Sequence, residues 1–144
     1  MLLVAIAASF MVSTFQPTVS FKVGNGVYNL WVADTEEKRE KGLSGVAALK
    51  PQQGMIFKFD SEGEWGIWMK DMKIPIDIIW INEQKRVVHV VKNALPELGT
   101  DLTFRPKEPA RYVVELPMGS VENAGIRKGM MTTFDETSAG EVRW

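Results

Sequence analysis

Hydrophobic and polar positions alternate along this chain in short runs bounded by glycine, proline and asparagine, and a period of two is the signature of half-buried strands. Val19–Val23 and Val27–Ala33 read as strands on either side of Gly24-Asn25-Gly26, where Asn-Gly signals a hairpin because both residues accept positive φ. Asp34 with Glu37 fits a capping box. The acidic-then-basic run that follows, ended by Gly42, predicts a short helix of about two to three turns. Met55–Phe59 alternates as a further strand, and Asp60–Glu64 reads as an exposed acidic turn. Gly66–Met69 and Ile76–Ile81 predict strands flanking a Lys-Asp-Met-Lys-Ile-Pro connection, with Arg86–Val91 returning after a turn at Asn82–Lys85. Prolines and a glycine break all periodicity from Asn93 to Pro109, a long loop of the kind that often carries function. Ala110–Leu116 is the next strand, Ser120 caps a helical turn through Ala124, and Met130–Phe134 is the last strand. The pattern predicts a mainly β (α+β) protein, a curved and mostly antiparallel sheet or small barrel with one or two short helices.

The two ends depart from this alternation. Leu2–Phe15 is almost wholly apolar, too short for a span of about 20 residues, and rich in small side chains like the hydrophobic region of a signal peptide. Residues 1–17 are therefore expected to be a signal peptide or N-terminal membrane anchor, residues 18–136 a single globular domain, and residues 137–144 a flexible tail. Export, to the periplasm or another extracytoplasmic space, or tethering to the membrane through an uncleaved leader, follows from that reading.

Composition narrows the chemistry. A formal net charge of -1 gives no general attraction to nucleic acid. With no cysteine there is no disulfide, thiol nucleophile or thiolate metal site, and a single histidine, His89, leaves no metal centre or cofactor to expect. His89 has no nucleophile beside it in sequence, and no serine sits in a G-x-S-x-G context. Met55, Met69 and Met72 suit soft core filling better than thioether ligation.

Two acidic residues stand out because they interrupt apolar strands. Asp77 lies within Ile-Pro-Ile-Asp-Ile-Ile-Trp-Ile, and a buried carboxylate needs a partner; Lys70, Arg39 and Arg111 are the cations that could supply one. Lys70 is the nearest in sequence, across a turn that could lay the two strands side by side. Glu115 raises the same question in Arg-Tyr-Val-Val-Glu-Leu, where alternation places Arg111 and Glu115 on one face about 13 Å apart. Arg39, Lys70, Asp77, Arg111 and Glu115 could thus form structural ion pairs, or a polar cleft for a small anionic or zwitterionic ligand. Of the tryptophans, Trp68 and Trp80 are expected in the core, and Trp65, beside the acidic turn, is expected to be exposed and available for interaction.

Several separated motifs, in order, carry a resemblance. These are Glu36–Leu43, Gly54-Met55-Ile56-Phe57, Trp68–Met72, Ile74–Ile79, Pro109–Leu116 and Gly125-Ile126, and together they resemble the family called domain of unknown function 192, over roughly residues 30–134. The resemblance implies a small, predominantly β protein, often behind a signal peptide or lipoprotein leader, with no settled biochemical role. It also implies two departures: Leu43-Ser44-Gly45-Val46 stands where the family usually has Leu-Met followed by arginine, and Met130 where an aspartate usually follows. The function expected is a small binding or interaction module of the cell envelope, its partner an unknown small ligand or envelope protein. The alternative is a hydrolase-type enzyme using Asp77 and Glu115 as acid and base in one cleft.

Overall fold

The computed structural model describes residues 16–136. The leader expected over residues 1–17 and the tail over 137–144 lie outside the described residues, apart from Gln16 and Pro17. The order of elements is β1 (Thr18–Val23), β2 (Gly26–Ala33), α1 (Glu36–Lys41), β3 (Gln53–Gly63), β4 (Ile67–Trp68), β5 (Ile76–Ile81), β6 (Val87–Ala94), β7 (Thr103–Phe104), β8 (Ala110–Pro117), α2 (Ser120–Ala124) and β9 (Thr132–Phe134).

Seven strands form one curled sheet in the order β6-β5-β8-β3-β2-β1-β9, a half-barrel, while β4 and β7 pair separately. The expected curved, mostly antiparallel sheet with short helices is what the chain forms. Its one parallel pair within the large sheet is β2 with β3, joined through α1. The Val87 amide donates to the Met130 carbonyl at 2.8 Å and the Gly129 amide to the Val87 carbonyl at 2.8 Å, drawing the β6 end toward the β9 end at one corner.

Curling gives the sheet two differently filled faces. The concave face holds Phe21, Leu30, Ile56, Ile79, Val114 and Leu116. The outer face carries Phe57, Ile78, Trp80 and Val113, and is covered by Leu43, Ile67 and Met69 from the segments that cross it. The central strands β5 and β8 are buried on both sides, which is why they read as continuous apolar runs. Trp80 is fully buried, and its indole N–H donates to the Trp65 carbonyl at 2.8 Å, fastening the covering segment to the sheet.

Several local expectations need correction. The first hairpin turns at Gly24-Asn25, with Gly24 at φ 54 and Val23 paired to Gly26, so a glycine at the first central position makes the bend. Thr35, not Asp34, caps α1: its hydroxyl accepts from the Lys38 amide at 3.2 Å, while Asp34 pairs with the Lys38 ammonium at 3.1 Å. The helix is shorter than expected, and Gly42 ends it at φ 49. The acidic turn expected at Asp60–Glu64 is largely strand, because β3 continues to Gly63 with its charged side chains in solvent. Within the long Asn93–Pro109 loop, Pro96–Leu98 forms a 3-10 turn and β7 adds a pairing partner for β4.

That last pairing separates Lys70 from Asp77. β4 runs against β7 rather than β5, so the connection between them does not fold the two charges together. Asp77 is fully buried, opposite Leu116, and takes its partners from the main chain instead. The Asn93 amide donates to Oδ1 at 3.0 Å, and the Gly119 and Val121 amides donate to Oδ2 at 3.1 and 2.9 Å. Asn93 and Gly119 adopt φ 58 and 93, turning the chain so that their amides face the carboxyl. No ion pair joins Asp77 to Lys70, Arg39 or Arg111 among the described residues. Its role is to tie the end of β6 and the start of α2 to the sheet.

Removing an acceptor shared by buried amides strands each of them, at about 1–3 kcal/mol apiece. Asp77→Ala is expected to destabilise the fold by roughly 3–5 kcal/mol, and Asp77→Asn by about 2–4 kcal/mol because its amide nitrogen cannot accept. Urea denaturation checks both values; a loss under about 1 kcal/mol for either variant contradicts this role.

Candidate functional site

Glu115 is the second carboxyl that interrupts an apolar strand, and its surroundings differ in kind. It sits on β8 between Met55 of β3 and Ile78 of β5, so its side chain emerges on the outer face. Asp77, opposite Leu116, emerges on the concave face. The two carboxyls are on opposite sides of the sheet. This overturns the idea of Asp77 and Glu115 acting as acid and base in one cleft, since no substrate bond can reach both.

Two covering segments meet above Glu115. One is α1 with the turn that follows it, held down by buried Leu43; the other is Gly66–Met72, held down by buried Ile67 and Met69. The Ser44 hydroxyl donates to the Lys70 carbonyl at 3.1 Å and the Gly45 amide to the Asp71 carbonyl at 2.9 Å, locking the segments together. Between them remains a cavity of about 60 Å³, lined by Glu115, Arg39, Lys41, Leu43, Phe57, Trp68, Lys70 and Met72 among others. Toward β3 it adjoins a groove lined by Arg39, Phe59, Trp65 and Trp68.

The Glu115 side chain is only 4% exposed, and its Oε2 has no hydrogen-bond partner. Burial raises its carboxyl to about pH 8, because the apolar surroundings penalise the charged form and no nearby cation offsets that penalty. At neutral pH it is therefore mainly a protonated acid with an O–H to donate. Arg39 does not neutralise it: the guanidinium donates to the Lys58 carbonyl at 2.7 Å and lies 5.1 Å from the centre of the Phe59 ring. Lys70 places its ammonium 5.4 Å from the Trp68 ring centre.

Of the residues singled out from the sequence, the structure brings Arg39, Lys70 and Glu115 to one cavity, with Trp65 on the adjoining groove. Arg111 is elsewhere, donating to the Glu83 carboxylate at 2.6 Å and to the Phe59 carbonyl at 3.2 Å. The tryptophans exchange places. Trp65 is half-buried, stacked on Phe59 with centroids 4.3 Å apart and its N–H donating to the Ser61 carbonyl, whereas Trp68 is 44% exposed. Alternation in Ile67-Trp68-Met69 carries that signal, since burying both flanking side chains turns the middle one outward. His89, on edge strand β6, tilts over the Trp80 ring at 5.3 Å; burial, with Lys107 and Lys128, lowers its proton affinity. No group of three or more potential metal ligands occurs among the described residues.

The sequence profile of DUF192, described as an uncharacterized ACR, matches residues 19–134. The chain belongs to the DUF192 family. A UPF0127 protein of Thermococcus gammatolerans is 30% identical over 110 residues, spanning 76% of this chain and 69% of that one. Two solved structures share the fold of this DUF192 protein at a TM-score of 0.74. One, from Novosphingobium aromaticivorans, is described as of unknown function; it is 27% identical, with 85% of this chain and 89% of that one covered. The other, from Sinorhizobium meliloti, is labelled a candidate transcription regulator; it is 25% identical, with 83% and 94% covered. DUF192 is a family of unknown function, and among the described residues of this member Glu115, which lines the cavity, carries the buried side-chain oxygen without a hydrogen-bond partner.

The Glu115 proton makes stability depend on pH. The folded carboxyl holds its proton to about pH 8 while an unfolded one releases it near 4.5, so folding takes up a proton between these values. This contribution is fully present below about pH 4.5 and is lost as pH rises toward 8, with a slope on the order of 1 kcal/mol per pH unit. Glu115→Gln is expected to remove the slope, so that the variant gains on the wild type from pH 5.5 to 7.5. Parallel stability curves in chemical denaturation contradict it.

Proposed function

We propose that this DUF192 protein is a small-ligand binding module, with its site in the cavity over Glu115 and the aromatic groove beside it. The observation that carries this reading is a buried carboxyl, its Oε2 unpartnered, on a residue that lines a cavity together with Arg39, Glu40, Lys41 and Lys70. Buried polar atoms are almost always paired, and the exceptions concentrate where a ligand supplies the missing partner. The exposed ring of Trp68 beside the mouth offers the kind of surface on which a ligand body packs. Binding suits the site better than hydrolysis, because Glu115 is the sole carboxyl on the cavity floor and Asp77 is sealed by three amides on the other face.

The apolar run at residues 2–15 supports an exported or membrane-tethered setting, where such a module would meet ligands or proteins of the cell envelope. Sequencing the N-terminus of protein made in its native host is expected to show cleavage of the leader or a membrane-associated chain. An intact Met1 on a cytosolic protein contradicts that setting and leaves the site reading untouched.

Screening the full-length protein by two-dimensional NMR against a library of small polar metabolites is expected to give ligands that shift the amides of Gly42–Ser44 and Gly66–Lys70 and the Trp68 indole. Trp68→Ala is expected to weaken them roughly five- to tenfold while leaving the thermal midpoint within a few degrees. Shifts confined to other surfaces, or none, contradict the reading.

A further inference from the structure

If the cavity is a ligand site, its charges and its protonation state specify what enters it. The cavity lining sets Arg39, Lys41 and Lys70 against a single exposed carboxylate, Glu40, and Glu115 on the floor. The other groups facing Glu115 add no charge: Met55 and Ile78 flank it on β3 and β5, and Leu43, Phe57, Ile67 and Met72 line the remaining walls. Farther out, Glu37 and Asp71 share the surface with Lys41 and Lys70, and Glu36 and Asp60 line the adjoining groove with Arg39 and Glu40; of these carboxylates only Glu40 lines the cavity itself. Within the cavity lining itself a cation meets three positive side chains and one exposed carboxylate. An anion meets counter-charges first and a hydrogen-bond donor at the bottom.

We infer that the cavity receives the carboxylate of a small organic acid, with the Glu115 O–H donating to it from the floor and Arg39, Lys41 and Lys70 supplying counter-charge at the mouth. This rests on the ligand-site reading above and names the ligand class that reading leaves open. A protonated carboxylic acid is a strong donor to a carboxylate, and O–H···O⁻ bonds are among the short, strong ones. An apolar site that keeps an acid neutral so that it can donate to an anion is a known arrangement in enzymes. The volume of about 60 Å³ admits one head group and not a large molecule, so the rest of the ligand lies along the groove with Phe59, Trp65 and Trp68. The apolar walls suit a planar carboxylate with a hydrocarbon or aromatic body better than a fully hydrated polyanion.

This arrangement has a pH signature that ordinary charge attraction lacks. Once Glu115 ionises it repels the ligand carboxylate, so binding fails as the floor proton is lost, and binding near pH 8 takes up a proton. The experiment uses three four-carbon probes with the full-length protein, butanoate, butylammonium and 4-aminobutanoate, together with inorganic phosphate. Affinities are measured by isothermal titration calorimetry in two buffers of different protonation enthalpy at pH 7, 8 and 9. Butanoate is expected to bind at least tenfold more tightly than butylammonium, to weaken about tenfold from pH 7 to 9, and to take up protons at pH 8. Glu115→Gln keeps an N–H donor without the titrating proton. It is expected to bind butanoate with nearly constant affinity over this range and to exceed the wild type at pH 9. Arg39→Ala and Lys70→Ala are each expected to weaken butanoate several-fold at pH 7.

Preference for butylammonium with proton release, or tighter binding of phosphate than of butanoate, overturns the carboxylate assignment while the site reading stands. The same division holds if metabolites from the NMR screen occupy the cavity and butanoate does not. If neither the screen nor any probe perturbs the residues around Glu115, both fall together. Retention of the full pH dependence in Glu115→Gln overturns the role given to the floor proton, whatever the ligand.

Discussion

Strand β8 is buried on both faces between β3 and β5, and one of its side chains is an acid whose Oε2 has no hydrogen-bond partner. That single constraint organises the outer half of the molecule. Met55, Phe57, Ile78, Trp80 and Val113 form an apolar surface that must be covered, and α1, its following turn and the Gly66–Met72 segment cover it through Leu43, Ile67 and Met69. Covering it also buries Glu115, and the cost appears as a carboxyl that keeps its proton to about pH 8. A hydrophobic residue at this position would avoid that cost, so stability alone does not account for the acid.

The contrast with Asp77 shows how two carboxyls in similar sequence settings come to do different work. Both interrupt runs of β-branched and large apolar residues on central strands. Asp77 points into the concave side, where left-handed turns at Asn93 and Gly119 aim three amides at it, and it becomes a fastener. Glu115 points outward, where the covering segments present side chains and bend their own polar groups toward one another: Ser44 to Lys70, Gly45 to Asp71. The cover is satisfied without Glu115, which leaves the acid facing the cavity.

Much of this was legible from period-two alternation. It marks the strand cores, the face shared by Arg111 and Glu115, and the curved sheet, since packing requires one side of each strand to be apolar. The resemblance to DUF192, carried by motifs such as Trp68–Met72 and Pro109–Leu116, was likewise readable. What alternation cannot supply is the partner across space. Nothing in Ile-Pro-Ile-Asp announces that backbone amides from residues 93, 119 and 121 converge on Asp77, so a cation was the natural expectation. Lys70 could not be placed because β4 finds its partner in β7, inside a stretch with no regular pattern. Trp68 departs from expectation for a different reason: hydrophobicity argues for its burial, but Ile67 and Met69 already fill the inward face of its strand.

The proposed binding role is best judged by the buried carboxyl that has an unpartnered oxygen among the described residues. Site-specific carbon NMR of the Glu115 side-chain carboxyl, followed from pH 4 to 10 in the full-length protein, measures that group directly. The account predicts titration near pH 8, with the amides of Gly42–Ser44 and Gly66–Lys70 reporting the same midpoint. Titration at the ordinary value of a solvated glutamate, about 4.3, would contradict it.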